Sequence, residues 1–175
     1  MTMIFRMQML NPAAPLDDEV AARAAAGAAS VALVISGVMS ALGAALMVPR
    51  LGALRAVAME EARLLADQSP QAGAMLQGMV QNGLAEWSVA IVALWAVIQF
   101  ILASWQWRRP NQLIPLIMVV LLVYRLGDRG LEVIADPSRL TPTAGATLGL
   151  LLVCLWLHVV AVRGAARLAA LRHSA

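Results

Sequence analysis

The chain has 175 residues, of which 61% are hydrophobic and only 13% charged, and its mean hydropathy is +0.77. A water-soluble domain carries roughly 25% charged residues to wet its surface, so an ordinary soluble domain is excluded and a polytopic membrane protein is indicated. All 13 basic side chains are Arg, opposed by 10 acids; a net charge of +3 makes no nucleic-acid-binding patch, and the pI near 10.4 reflects scarce titratable groups.

From the N-terminus, Met1 to Leu10 is apolar but too short to span, and it is followed by Asp17, Asp18 and Glu19. This predicts a short tail on the membrane surface, not a cleavable signal, with the acidic trio at a helix N-terminus where the dipole favours it. A bilayer core of about 30 Å needs roughly 20 apolar residues in helix. Period-2 alternation is absent, so helices are the spanning form. The first span is expected over 24–48, between Arg23 and Pro49-Arg50.

Residues 50–86 then form a non-spanning segment. Leu51, Leu54, Ala58, Ala62 and Leu65 recur at helical spacing, with Arg63 and Asp67 four apart and able to pair. Ser69-Pro70 ends this helix, and a second amphipathic stretch carries Met75, Leu76, Met79, Val80 and Leu84. Two readings stand: helices lying on the bundle or the lipid interface, or a lid over a cavity. The second span is expected over 87–107, bracketed by Trp87, Trp105 and Trp107 as an interfacial aromatic belt.

The third span, 112–135, follows the Arg108-Arg109-Pro110 turn and is purely apolar only to Tyr124. Arg125, Asp128, Arg129 and Glu132 then stand at i, i+3, i+4 and i+7 on one helical face. If the helix spans fully, these charges face a bundle interior, with Arg125–Asp128 and Arg129–Glu132 pairing and Glu86 as a further partner. Intramembrane ionisable residues are a functional-site hypothesis by default. The alternative is a solvated helix end beyond an interfacial Tyr124. The fourth span, 142–162, opens at Thr141-Pro142, a capping residue with Pro at the first helical position.

Four spans put both termini on one side. That side carries Arg6, Arg23, Arg108, Arg109, Arg163, Arg167 and Arg172, against Arg50, Arg55, Arg63 and Arg139, plus Arg125 and Arg129 if they lie outside the membrane. The excess predicts cytoplasmic termini.

Other candidate sites are incomplete. Cys154 and His158 share a face in the fourth span, but a zinc site needs three or four ligands. The expectation is a packed thiol and an imidazole bonded to a neighbouring helix. Met75 and Met79 offer two thioethers of the kind Cu(I) accepts, and equally serve as packing. Ser36, Ser40 and Ala44 in the first span, and Gly145 and Gly149 in the fourth, are small residues four apart or at multiples of four, suited to close helix packing. No nucleotide, metalloprotease or dithiol motif and no nucleophile–base spacing is present. Enzymatic activity therefore has no positive support, and no cofactor is required.

The hairpin at Arg108-Arg109-Pro110, the span ending at Tyr124-Arg125-Leu126-Gly127 and Asp136-Pro137 before another span resemble DoxX-like small bacterial membrane proteins, over about residues 86–163. The resemblance implies a four-helix bundle, in some members attached to quinone-linked membrane oxidoreductases. It marks Arg125 and Asp136 for test, and implies neither a reaction nor a cofactor. The expectation is a single all-α domain over 1–175: a four-helix transmembrane bundle with an amphipathic helical segment between spans 1 and 2, in a bacterial inner membrane. The leading functional reading is a non-catalytic accessory or scaffolding subunit with a protein partner or a second copy. The others are a lipid- or quinone-binding module whose polar end is Arg125 to Glu132, and a proton-coupled transporter subunit using Asp128 or Glu132.

Overall fold

The computed structural model describes residues 15–173; the expected surface tail at Met1 to Leu10, with Arg6, lies outside them. Among the described residues all regular structure is helical: α1 (Glu19–Met47), a 3-10 turn (Val48–Arg50), α2 (Leu51–Gln68), α3 (Pro70–Gln81), α4 (Leu84–Arg108), α5 (Leu113–Ala135), a second 3-10 turn (Pro137–Arg139) and α6 (Pro142–His173).

Among the described residues three helical runs are long and apolar enough to cross a membrane: Glu19–Gln68, Leu84–Arg108 and Pro142–His173. Helix α5 has the length, 23 residues or about 35 Å at 1.5 Å per residue. It lacks the apolarity, because any membrane-length stretch of it takes in Arg125, Asp128 and Arg129.

Local chemistry sets the helix ends. Helix α1 begins at the acidic trio, as expected, one turn ahead of the apolar span: the Asp18 carboxylate accepts from the Ala21 N–H at 2.6 Å and caps the first turn. Thr141 caps α6 as expected, its hydroxyl accepting from the Ala144 N–H at 3.2 Å. Helix α6 runs past the expected end at 162 to His173, since Arg is a good helix former and cationic side chains suit a helix C-terminus.

The described residues form two compact units, 15–36 with 99–173, and 37–98; α1 and α4 each contribute to both. In the first unit the Ala-rich start of α1 is buried nearly all round: Ala22, Ala25, Ala26, Ala28, Ala29, Ala32 and Leu33 are each 2% exposed or less. One core joins Ala25, Ala28, Ala29 and Ala32 to Leu122 of α5 and to Cys154, Leu157, Val160 and Ala161 of α6. A second joins Leu33 to Ala103 of α4 and Met118 of α5. Alanine is what allows α1 to sit among three helices, since small side chains let backbones approach closely.

The contacts also fix direction. Gly164 meets Ala25 and Ala26, whereas Cys154 meets Ala32 and Ser36, so α1 and α6 are antiparallel. Near their ends Arg167 donates to the Leu16 carbonyl at 3.1 Å and Arg172 lies 3.8 Å from Glu19. Gly27 lies beside Trp107 and Leu33 shares a core with Ala103, so α1 is antiparallel to α4 as well.

In the second unit, α2 and α3 form a hairpin broken at extended Ser69 with Pro70 opening α3, the break the sequence predicts. The hairpin closes on Gly73, packed directly against Ala66, and buries Ala62 and Val80. Gly83, at φ +88°, turns the chain into α4, a conformation glycine adopts without steric cost. The expected Arg63–Asp67 pair is replaced by Arg63–Glu60 at 3.6 Å. Both acids lie within one turn of an exposed guanidinium, and such pairs differ by only a few tenths of a kcal/mol.

Candidate functional site

Helix α5 packs through Pro115, Met118 and Leu122, spaced i, i+3 and i+7 on one face. Arg129 stands two turns past Leu122 on that same face, and Arg125, Glu132 and Asp128 lie progressively further round the helix, up to about a third of a turn; Arg125, Asp128 and Arg129 are exposed, with Glu132 intermediate. Of the four charges expected to face a bundle interior, three are therefore exposed on the single chain and Glu132 partly so. Arg129 and Glu132 form the expected pair at 2.7 Å, worth about 0.2–0.5 kcal/mol where solvated. The expected Arg125–Asp128 pair is not formed: among the described residues neither side chain has an ion-pair partner.

Glu86 does not serve this cluster. It sits in the first turn of α4, where the helix dipole favours an anion, and its carboxylate is engaged by Arg55 of α2. Nor does Asp136 point to a ligand: its carboxylate caps the 3-10 turn, accepting from the Ser138 N–H at 3.1 Å and hydroxyl at 2.6 Å.

Cys154 and His158 do share the buried face of α6. The Ser36 hydroxyl donates to the Cys154 sulfur at 3.5 Å, and the thiol reaches the Ala32 carbonyl at 3.8 Å. The expected imidazole hydrogen bond is absent. His158 is 0% exposed, and neither ring nitrogen has a partner among the described residues. On either side of it along α6, Cys154 meets Ala32 and Gly164 meets Ala25 and Ala26 of α1, a stretch rich in side chains that carry no acceptor. Among the described residues no cluster of three His, Cys, Asp or Glu is arranged for a metal ion, and Met75 and Met79 are exposed on α3.

The small residues divide. Ser36 contacts Cys154, Ser40 is half-buried and Ala44 is buried. A side chain at Gly145 or Gly149 would meet nothing within 4 Å, so neither mediates packing within the chain; that role falls to Gly164, whose Cβ would lie 2.4 Å from the Ala26 nitrogen. Gly164 lies beyond the expected end of the span at 162, where the local sequence carries no signal of a close helix approach.

Two further polar residues escaped it. Gln106, fully buried, accepts from the Asn111 N–H at 3.3 Å and donates to the Asn111 carbonyl at 3.0 Å, closing the α4–α5 turn. Its position just before Arg108-Arg109-Pro110 is the available signal. Ser30, 4% exposed, has a hydroxyl without a partner among the described residues, and nothing in an Ala-rich run singles it out.

Comparison with protein-family models, with curated proteins and with solved structures finds no match to this chain.

Proposed function

We propose that this chain is a four-crossing integral membrane protein that works as a non-catalytic subunit of a membrane assembly, with α5 as its contact helix. The observation that carries the reading is the exposed ionic face of α5, where Arg125 and Asp128 are exposed and unpaired among the described residues. An ionised side chain at the centre of a crossing costs about 2.5–3.5 kcal/mol on insertion scales. A partner chain, or a second copy, covers that face and pairs its charges.

Parity supports four crossings over three. Leu16 and Glu19 touch Arg167 and Arg172, so the two ends of the described chain lie at one end of their unit. An even number of crossings meets this condition, and α5 then crosses with the three apolar helices. The arginine excess at that end orients it to the cytoplasm of a bacterial inner membrane. The likeness to DoxX-like proteins over residues 86–163 belongs to the same reading.

Extraction in mild detergent followed by native mass analysis tests it. The expected result is a complex heavier than the 18.6 kDa chain, diminished by Arg125→Ala combined with Asp128→Ala. A monodisperse monomer without a partner overturns the reading.

A further inference from the structure

The first unit holds a groove of about 420 Å³ between α1 and α4, walled by apolar side chains that include Val34, Ile35, Phe100 and Trp107. This volume is in the range of small-molecule sites, roughly 300–1,000 Å³. Two hydroxyl residues, Ser30 and Ser104, are its polar lining. Ser30 is 4% exposed and its hydroxyl has no partner among the described residues, although a helical serine can bond the carbonyl four residues back.

One end of the groove is cationic. Helix α4 leaves it through Trp107 into Arg108 and Arg109, and the antiparallel α1 brings Arg23 to the same end, one turn before Gly27, which lies beside Trp107. All three arginines are exposed, and none has an ion pair among the described residues. Of the acids at the start of α1, Glu19 is engaged by Arg172 and Asp18 caps the helix, leaving Asp17.

We propose that this groove binds one acyl chain of an anionic glycerophospholipid, with the phosphate at Arg108 and Arg109 and an ester carbonyl accepting from the exposed Ser104 hydroxyl. The spacing suits that ligand. Ser104 precedes Arg108 by four residues, about 6 Å along the helix, so its hydroxyl lies below the cationic rim as ester groups lie below a phosphate. Zwitterionic lipids offer the same chains and esters but no net charge, so the rim discriminates between headgroups. The inference uses the membrane-spanning reading but not the partner-bound α5.

The test is native mass analysis of the full chain exchanged into detergent containing phosphatidylglycerol or phosphatidylcholine with identical acyl chains. The chain retains phosphatidylglycerol preferentially. Arg108→Gln with Arg109→Gln, both exposed positions, lowers that retention by about fivefold per arginine without changing phosphatidylcholine. Ser104→Trp, also exposed, fills the groove and abolishes retention of both lipids while the unfolding temperature holds. Equal retention of the two lipids by the unmodified chain overturns the headgroup assignment, and undiminished retention by Ser104→Trp overturns the groove. Neither outcome depends on the oligomeric mass that tests the subunit reading.

Discussion

At Gly164 a methyl group would lie 2.4 Å from the Ala26 nitrogen and 2.7 Å from the Ala25 carbonyl carbon, backbone atoms of a helix enclosed on three sides. Gly164→Ala therefore pushes α6 from α1 and destabilises the chain by about 1–3 kcal/mol, as overpacking does. Gly145→Ala and Gly149→Ala, into open space, are neutral or gain up to about 1 kcal/mol from helix propensity. Thermal unfolding in detergent separates the three. His158 makes the opposite case. Burying a polar group without a partner costs about 1–3 kcal/mol, so His158→Leu raises the unfolding temperature by a few degrees. A clear drop would show that the imidazole has a partner in the intact assembly.

Each helix junction carries its own closing device. The α4–α5 turn depends on Gln106, whose amide meets both backbone groups of Asn111. Gln106→Leu leaves these groups unsatisfied and lowers stability by about 1–3 kcal/mol; an unchanged unfolding temperature would place the closure elsewhere. The α2–α3 hairpin depends on contact between Gly73 and Ala66, where a Cβ would lie 2.4 Å from the alanine's own. Gly73→Leu separates these helices, and limited proteolysis near Ser69 accelerates. The break between the two helices was legible in the sequence, because Ser69-Pro70 interrupts two apolar periodicities. The residue that closes the hairpin was not, because a glycine inside a helix looks alike whether it faces a neighbour or open space.

For the whole molecule, the decisive measurement is the crossing of α5. Cys154 is the single cysteine and is 2% exposed, which leaves a quiet background for labelling. In a Cys154→Ala chain, Gln112→Cys and Ser138→Cys flank α5 at exposed positions. Four crossings predict that a membrane-impermeant maleimide labels them from opposite sides, with Asp17→Cys labelled from the same side as Gln112→Cys. Labelling of both ends of α5 from one side would reduce the crossings to three.

What the sequence determined by itself is the all-helical, apolar character of the chain, three membrane-length apolar runs and the capping of α6 at Thr141. These follow from neighbouring residues, since apolar run length, helix propensity and capping act within a few turns. Only the tertiary structure decided which polar groups meet. It gave Glu86 to Arg55, left His158 unpartnered among the described residues, left three of the α5 charges exposed, and made Gly164 the point of closest approach. Each of these depends on how helices distant in the chain cross and which face each presents. The composition of a single helix does not contain that information.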